Sequence, residues 1–340
     1  MSVRLSICIA TFNRAAFIGE TLDNLVQQAT DEVEILVVDG ASTDNTEEVV
    51  RAYLPRCPRL RYVRLSAKGG VDQDYNRSVE LAQGEYCWLF SDDDLLKPGA
   101  VQTMLNEIKH GYSLILVNSE AQSADLSTMQ QVKVLQAATR VYSPEELERL
   151  FVDTAKYLTF IGCVVIKREV WLARDRERYF GSAFIHVGVI FQRPLPANAL
   201  AIAEPWIIIR YGNASWTARA FDIWMVQWPR LIWSFPHFAD ASKRRICRKE
   251  PWRSKMVMFL TRAVAGFSID IYRQKYEPLL PLRSDRIAAQ LIARLPGVLV
   301  NFIVIVGFKL FRRYDQLMQV NLRNSPFYYQ IYLRRLFRRS

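Results

Sequence analysis

The sequence predicts an α/β fold built on a mainly parallel, doubly wound sheet. Two observations lead to this prediction: apolar strand patterns alternate with helical patterns from the first residues onward, and polar side chains follow several of the predicted strands. In sheets of this kind, ligands bind outside the carboxyl ends of the strands. We therefore expect a functional site where those polar residues meet.

Four pairs of a strand and a helix account for the first hundred residues. Each strand pattern is a short apolar run, whereas the first helix shows Ile18, Leu22 and Leu25 at helical spacing. Clusters of Gly, Ser, Thr and Asn separate the elements. The predicted strands are residues 5–10, 33–38, 62–65 and 86–90, and the predicted helices are residues 15–28, 45–54, 69–83 and a helix from about residue 98.

The patterns after residue 118 are weaker. Residues 119–145 are polar, and we expect them to form an irregular segment on the surface. The later elements are a strand at 160–167, a short apolar element at 184–191, and strands at 200–203 and 206–210. Helices rich in Trp and Arg follow from residue 221.

Composition divides the chain into two regions. The net charge of the 340 residues is +11, but residues 240–340 hold 21 Lys and Arg against 6 Asp and Glu, a surplus of +15. A basic region of this kind suits an anionic surface. The domains we expect are residues 1–220, with halves 1–118 and 119–220, and a helical, basic region of residues 221–340.

The basic region contains an apolar stretch, residues 295–308, that is shorter than the roughly 20 residues needed to span a bilayer. The chain ends in a basic run, residues 333–339, that interleaves arginines with apolar side chains. Two interpretations stay open: an in-plane contact with an anionic membrane surface, or an ordinary packed helix with a basic outer face. We expect no nucleic-acid partner, because the chain contains no recognised nucleic-acid module.

The five cysteines show no CxxC spacing, and two of them lie in predicted strands. This usage indicates a reducing compartment rather than a disulfide framework. The first residues lead directly into a strand, without a basic and then apolar signal segment. We therefore expect the first domain to be cytoplasmic.

Asp92, Asp93 and Asp94 follow the apolar run of the fourth predicted strand. Adjacent carboxylates repel one another unless a cation lies among them. Hard cations such as Mg²⁺ prefer oxygen ligands and often share carboxylates with the phosphates of a substrate. The triplet therefore favours a metal-bound diphosphate, with a solvated turn that caps the helix near Pro98 as the alternative.

Three motifs in order resemble those of family 2 glycosyltransferases. Residues 9–14, IATFNR, resemble the family's PTYNR at a strand end, and residues 37–46, VVDGASTDNT, resemble its VDDGSTDNT. Asn76 and residues 82–86 resemble the stretch that leads to the family's DXD motif, here Asp92-Asp93-Asp94. Because the motifs also have the family's spacing, we expect the family's fold.

This resemblance implies the GT-A fold of nucleotide-diphospho-sugar transferases and a metal-dependent, inverting glycosyltransferase. Residues 157–216 resemble, more weakly, transferases that add deoxysugars such as abequose to O-antigen repeat units. The implied partners are a nucleotide-diphosphate sugar, Mg²⁺ or Mn²⁺, and a polyprenyl-diphosphate-linked oligosaccharide acceptor in surface polysaccharide synthesis. We expect a peripheral protein on the cytoplasmic face of the inner membrane.

The resemblance also implies roles for single residues. Asp39 occupies the position that accepts a hydrogen bond from a ring nitrogen of the base. Asp92 and Asp94 would hold the metal ion, and Asp93 would belong to the catalytic residues. The residues implied to bind the nucleotide-sugar in these motifs are Thr11, Asn13, Arg14, Asp39 and Asp92.

Other candidates depend on residue chemistry alone. Lys68 and Asp72 flank two glycines and could meet ribose or phosphate, with solvated surface positions as the alternative. Arg210 ends a predicted strand and could clamp a diphosphate with two hydrogen bonds, with a plain surface arginine as the alternative. Trp216 could stack on a sugar ring or merely pack.

An inverting transfer needs a base, and the Glu-Asp pair that supplies it in many family members is absent. Residues 182–187 read SAFIHV at the matching place. With an ordinary pKa near 6.5, a neutral His186 suits general-base chemistry at cytoplasmic pH. The alternatives are a histidine that fills a hydrogen-bonded core position and, as a weaker rival base, Asp222.

Two other functions stay open. A nucleotidyltransferase on a similar sheet would need a Gly-rich, basic loop after the first strand, and residues 11–14 do not form one. A catalytically inactive nucleotide-sugar-binding or scaffold protein is the other alternative, because the usual carboxylate base is missing.

Overall fold

The computed structural model describes residues 2–212, 220–310 and 316–329. The chain forms two compact units, the first made of Met1–Tyr211 with Ser234–Ile246 and the second of Gly212–Trp233 with Cys247–Ser340. The division that we predicted after residue 220 lies beside residues 213–219, which are outside the described part.

Within the described residues, the first unit is built on one ten-stranded sheet. The strands are β1 (Leu5–Thr11), β2 (Val33–Asp39), β3 (Leu60–Arg64), β4 (Tyr86–Phe90), β5 (Leu95–Leu96), β6 (Leu114–Ser123), β7 (Met129–Gln131), β8 (Arg140–Tyr142), β9 (Val164–Lys167) and β10 (Ala199–Tyr211). Their order is β3-β2-β1-β4-β9-β6-β10-β5, with β7 beside β6 and β8 beside β10. β3, β2, β1 and β4 are parallel, whereas β9 runs antiparallel to both of its neighbours.

Helices make the three crossovers between the parallel strands, because parallel strands cannot be joined by tight turns. In chain order the helices are α1 (Ala15–Val26), α2 (Thr46–Arg51), α3 (Val71–Leu81), α4 (Ala100–Glu107), α5 (Leu147–Thr154), α6 (Arg168–Leu172), α7 (Ile185–Phe191), α8 (Ala220–Asp222), α9 (Trp228–Ser234), α10 (Asp240–Ile246), α11 (Lys255–Ala263), α12 (Ile269–Ile271), α13 (Arg283–Arg294), α14 (Gly297–Leu310) and α15 (Gln316–Asn324). The predicted α/β fold is therefore confirmed, with the parallel arrangement concentrated in the first four long strands.

The register of the parallel strands brings the ends of β1, β2 and β4 to one edge of the sheet. Thr11 pairs with Asp39, and Asp39 pairs with Arg64 on the next strand. On the other side of β1, Ile9 pairs with Phe90, the last residue of β4. The loops that follow these strands therefore converge, as the sequence predicts.

The core of the first unit lies on both faces of this parallel half. Ile7 and Trp88 on one face, and Leu36 and Leu89 on the other, are fully buried. Strands covered by helices on both faces read as continuous apolar runs, which is the pattern that the sequence shows. The indole of Trp88 also donates to the Gly162 carbonyl at 2.9 Å and so links β4 to the turn before β9.

Two regions differ from the sequence predictions. β10 is one strand rather than two, and its register shifts around Pro205. Because proline has no backbone N–H, the ladder loses a bond there, and a bulge lets the strand continue. Residues 119–145 contain the end of β6 and the strands β7 and β8, which are too short to show an alternating pattern in the sequence.

The second unit is helical in its described part. Phe267, Tyr272 and Tyr276 are fully buried at the centre of one apolar cluster. A second cluster contains Val300 and Val304 of α14 together with residues of α11 and α15. Among the described residues, no single helix has the length and apolar composition to cross a bilayer, although α13 and α14 together, bent by 96°, meet that test.

A buried carboxylate fastens the amino-terminal edge of the sheet. Glu34 accepts hydrogen bonds from the Ser6 hydroxyl at 2.5 Å, from the Gln83 backbone N–H at 2.9 Å and from the Arg61 guanidinium. Gly84 follows Gln83, and a Cβ at this position would lie 2.6 Å from the Ser6 backbone nitrogen. Only glycine fits this close approach of two backbone segments.

We expect Gly84→Ala to lower the free energy of unfolding by more than about 2 kcal/mol, because the new methyl group meets backbone that cannot move aside. Urea unfolding followed by circular dichroism measures this change. Gly19→Ala is the matched control, since its Cβ would make an ordinary 3.4 Å contact with Val49, and we expect a change below about 1 kcal/mol. Equal urea midpoints for Gly84→Ala and the wild type would contradict the close approach.

Candidate active site

The loops after β1 and β2 are tied to each other by their own side chains. Asn13, whose φ is +56°, accepts a hydrogen bond from the Thr43 backbone N–H at 2.7 Å. The next residue, Arg14, donates its backbone N–H to the Thr46 hydroxyl at 2.9 Å. The two motifs that the sequence shows there thus form one interlocked structure, and it directs the Arg14 side chain towards the acidic triplet.

Asp39 is fully buried where β2 ends. Its two carboxylate oxygens accept hydrogen bonds from the Ser42 backbone N–H at 2.7 Å and from the Tyr62 hydroxyl at 2.6 Å. Burial, and then the carboxylate of Asp39, raises the pKa of Tyr62. Asp39 therefore fixes the β2 loop, and its predicted contact with a base stays a prediction.

The acidic triplet follows β4 and meets Arg14. The guanidinium donates from Nε to Asp92 Oδ1 at 3.0 Å and from Nη2 to Asp93 Oδ2. The guanidinium carbon also lies 4.5 Å from the ring centroid of Phe17. All three charged side chains are largely buried, so these ion pairs are only weakly screened by solvent.

Arg210 reaches the same triplet from β10. Its backbone N–H donates to Asp94 Oδ1 at 2.9 Å, and its Nε donates to the Asp93 carbonyl at 3.0 Å. Its remaining nitrogens donate to the Ala124 carbonyl at 2.7 Å and to Glu20 at 2.5 Å. The side chain that we predicted as a diphosphate clamp is therefore engaged with three protein segments and holds the turn of the triplet in place.

Electrostatics make this turn a place for a cation. Burial and then repulsion from Asp93 raise the pKa of Asp92 to about 6, although Arg14 acts in the opposite direction. The same two causes raise the pKa of Asp94 well above its ordinary value. Buried oxygen donors that repel one another fit a hard divalent ion such as Mg²⁺ or Mn²⁺. No group of three or more metal-ligating side chains in a metal-holding arrangement occurs among the described residues.

Lys68 and Asp72 occupy different surroundings. The Lys68 ammonium lies 3.5 Å from the ring centroid of Phe12, in the loop after β1. The buried carboxylate of Asp72 accepts hydrogen bonds from the backbone N–H groups of Ala183 at 2.8 Å and Ile185 at 3.0 Å. Asp72 thus anchors the start of α7, a partnership that the sequence does not reveal.

Asp74 is a buried carboxylate that the sequence analysis missed. Burial raises its pKa to about 6, although nearby Lys68 acts in the opposite direction. A Cβ on Gly40 would lie 2.7 Å from Asp74 Oδ2, and one on Gly69 would lie 3.1 Å from Oδ1. The signal in the sequence is a pair of aspartates two residues apart after a Gly-Gly pair. This pattern gives no reason to assign Asp74 a different role from Asp72.

His186 lies in α7 and is buried. Its Nε2 is 2.5 Å from the Leu158 carbonyl oxygen, which can only accept, so Nε2 carries the proton. The other ring nitrogen, Nδ1, has no hydrogen-bond partner in the described part of the chain. Burial lowers the pKa of His186 to about 4, so the ring is neutral at physiological pH. Nδ1 then carries a lone pair that accepts no hydrogen bond from the described residues.

The remaining candidates are placed as follows. Asp222 belongs to the second unit, where it accepts a hydrogen bond from Gln227 at 3.0 Å and pairs with Lys275 at 3.5 Å. Trp216 is outside the described residues. The edge after β1, β2 and β4 therefore brings together most of the predicted nucleotide and metal residues.

Residues 6–171 match the sequence model described as Glycosyl transferase family 2. This span begins in β1 and ends in α6, so it includes both interlocked loops and the acidic triplet.

Two characterised proteins illustrate the similarity. Abequosyltransferase RfbV of Salmonella typhimurium is 26% identical over 285 residues, which are 77% of this chain and 84% of that protein. The GalNAc(5)-diNAcBac-PP-undecaprenol beta-1,3-glucosyltransferase of Campylobacter jejuni is 29% identical over 116 residues, which are 34% of this chain and 38% of that protein.

Solved structures share the fold. TarS residues 1–349 of S. aureus in complex with UDP superpose with a TM-score of 0.58 at 16% identity, covering 94% of this chain and 91% of that one. The mannosyltransferase PcManGT of Pyrobaculum calidifontis in complex with GDP-Man and Mn²⁺ gives a TM-score of 0.52 at 17% identity, covering 95% and 86%. Together with the motifs and the sheet topology, these similarities show that residues 6–171 are similar to the family 2 glycosyltransferases and that the chain is a glycosyltransferase of the GT-A fold.

Proposed function

We propose that the protein transfers a sugar, with inversion, from a nucleotide-diphosphate donor to a polyprenyl-diphosphate-linked oligosaccharide during synthesis of an O-antigen or a related surface polysaccharide. The observation that carries this proposal is the buried acidic triplet, held by Arg14 and Arg210 at the edge where the β1 and β2 loops meet. Two relatives support the substrates, since one is named an abequosyltransferase and the name of the other contains a PP-undecaprenol-linked saccharide.

The donor nucleotide is proposed to lie along the β1 and β2 loops. Asp39 has both oxygens engaged, but a carboxylate has about four lone pairs, so it can still accept from the base. Asn13 shapes the loop, and Lys68 adds a positive charge close to it. The bound UDP, UDP-GlcNAc and GDP-Man of the structural neighbours support a nucleotide-sugar as the donor.

Mg²⁺ or Mn²⁺ is proposed to bind at Asp92 and Asp94, whose buried oxygens fit such an ion. When bound, the ion supplies Lewis-acid stabilisation of the charge that develops on the departing diphosphate. The chain's own contribution is to hold the carboxylates in place. Arg210 does this by fixing the Asp94 carboxylate and the Asp93 backbone, and Thr21 adds a hydrogen bond to the Asp94 carbonyl at 3.1 Å.

His186 is proposed as the general base, with Nδ1 as the atom that takes the acceptor hydroxyl proton. Its Nε2–H is committed to the Leu158 carbonyl, which fixes the tautomer and leaves Nδ1 as the acceptor. Asp72 contributes indirectly, because it anchors the backbone at the start of the helix that bears His186. Asp93, which we keep among the catalytic residues, is the other candidate for the base in the first unit.

The similarity to glycosyltransferases favours this proposal over the alternatives of the sequence analysis. Neither a nucleotidyltransferase nor an inactive nucleotide-sugar-binding or scaffold protein is favoured by any described contact, and the acidic triplet is intact.

The second unit supports a peripheral position on the cytoplasmic face of the inner membrane. Leu299 and Ile303, about half exposed, share an outer face of α14 with Phe302, while Val300 and Val304 are buried on the other face. A helix that is apolar all round and half exposed needs a further apolar partner. The exposed cations Arg294 and Lys309, near its two ends, suit the head groups of anionic lipids.

Metal dependence is the first test of this proposal. We expect Asp94→Asn to abolish transfer while leaving the melting temperature within a few degrees of wild type, because the amide oxygen can still accept from Arg210. Transfer is measured with a labelled donor, with Mn²⁺ or with excess chelator. Asp31→Asn, a change of an exposed carboxylate, is the control. Undiminished transfer in excess chelator would refute the metal requirement.

The base is tested by the pH dependence of kcat. General bases contribute 10²–10⁴-fold, and a group with a pKa of about 4 is a weak base, so we expect His186→Ala to lower kcat by roughly 10²-fold with donor affinity unchanged. In the wild type at saturating Mn²⁺, the contribution of His186 to kcat should be lost as the pH drops through about 4, because the imidazole is protonated there. His110→Ala, at an exposed position, is the control. Near-normal turnover of His186→Ala would make the residue structural.

Membrane contact is tested with sedimentation of vesicles that contain phosphatidylglycerol. We expect Leu299→Ser with Ile303→Ser to reduce vesicle binding by about tenfold or more, since two apolar side chains of 1.5–3 kcal/mol each are lost from the contact. Val132→Ser with Val141→Ser, two exposed apolar positions of the first unit, should bind like the wild type. Equal binding by both double variants would place the attachment elsewhere.

A further inference from the structure

Two arginines contact the acidic triplet, and their surroundings differ. Arg210 is fixed through backbone carbonyls of two separate segments and through Glu20, so its guanidinium belongs to the scaffold. The Arg14 guanidinium instead donates to two carboxylates of the triplet, Asp92 and Asp93. Arg14 therefore supplies positive charge to the same oxygens that a divalent ion would seek.

A second observation points to a ligand at this place. In the register of β1 and β4, Ile9 pairs with Phe90. Thr11 and Asp92 each lie two residues further along the chain, so they come next to each other at this edge of the sheet. Thr11 is 3% exposed, and its hydroxyl makes no well-aligned hydrogen bond among the described residues, although it lies close enough to Asp92 to interact with that carboxylate. A buried hydroxyl without a well-formed hydrogen bond costs free energy, and a group that enters with the donor can complete it.

We propose that Arg14 is the counter-ion of the acidic triplet in the metal-free enzyme and that the divalent ion must displace it from Asp92. This inference rests on the metal dependence proposed above. A guanidinium and a divalent ion on one carboxylate repel each other, so the metal has to compete with an ion pair that is already formed. Metal alone is therefore bound weakly.

The displaced Arg14 then has a new partner available. Its planar guanidinium suits two oxygens of a diphosphate, the group that enters together with the metal. Metal and nucleotide consequently strengthen each other's binding, because each favours the state in which Arg14 has left the triplet. Such coupling is reciprocal, and couplings between sites typically amount to 5–150-fold in affinity.

The test uses isothermal titration calorimetry with Mn²⁺ alone and with the nucleoside diphosphate that best stabilises the wild type among UDP, GDP, CDP and dTDP. We expect Arg14→Met to bind Mn²⁺ alone about tenfold or more tightly than the wild type does, because no ion pair has to break. The gain in Mn²⁺ affinity that the nucleotide produces in the wild type should shrink in the variant. In chelator, Arg14→Met should melt at a lower temperature than the wild type, and added Mn²⁺ should narrow the difference.

Two control variants test whether the effect depends on the charge of the Arg14 side chain and on its position in the structure. Arg14→Lys keeps the charge and should bind Mn²⁺ alone within about threefold of the wild type. If Arg14→Met fails to fold, Arg14→Gln replaces it as the neutral variant that decides the claim. Arg51→Met removes an exposed arginine whose partner is Glu47 and should leave Mn²⁺ affinity unchanged.

Each outcome of this titration decides a different claim. Equal or weaker Mn²⁺ binding by the neutral Arg14 variants, with the wild type binding Mn²⁺ in the presence of nucleotide, overturns the role of Arg14 and leaves the proposed function intact. If the wild type and all variants fail to bind Mn²⁺ with or without nucleotide, both the role of Arg14 and the proposed metal dependence are overturned.

Discussion

Repulsion among three carboxylates in one buried turn is the constraint on which the rest of the site depends. Asp92, Asp93 and Asp94 lie where β4 leaves the core, and burial there raises the pKa of Asp92 and Asp94. The turn keeps its shape because Arg14, which follows β1, and Arg210, near the end of β10, both donate hydrogen bonds to its carboxylates. The proposed binding of a divalent ion and a diphosphate depends on the same charges.

The fold supplies these two cations by different routes. Arg14 follows β1, the strand next to β4, so the parallel pairing itself brings it to the triplet. Arg210 lies near the end of β10, 116 residues beyond Asp94. It reaches the triplet because β10 pairs antiparallel with β5, the strand that directly follows Asp94, so that Ile208 lies opposite Leu95.

Sequence patterns predicted the parallel half of the sheet, because apolar runs alternate there with amphipathic helices. They also predicted the edge at which Thr11, Asp39 and the triplet gather, since carboxyl ends of parallel strands share an edge. The sequence patterns did not predict which side chains contact each other. The bonds from Asp72 to the start of α7 and from Arg210 to Glu20 join residues more than 100 positions apart, and a pattern identifies residue types rather than such pairs.

The buried position of His186 illustrates the same limit. The resemblance predicts His186 at the place of the family's carboxylate, but its burial, its fixed tautomer and its lowered pKa depend on how α7 packs against the Leu158 turn. Long-range packing of this kind sets the chemistry of a titratable group, and local sequence does not encode it.

The most direct test of the account is anomalous diffraction from crystals grown with Mn²⁺ and the stabilising nucleoside diphosphate. The account predicts a manganese peak at about 2.0–2.2 Å from carboxylate oxygens of Asp92 or Asp94, with the diphosphate against it and the Arg14 guanidinium moved away from Asp92. A nucleotide bound at the β1 and β2 loops without any manganese peak at the triplet would contradict the central claim.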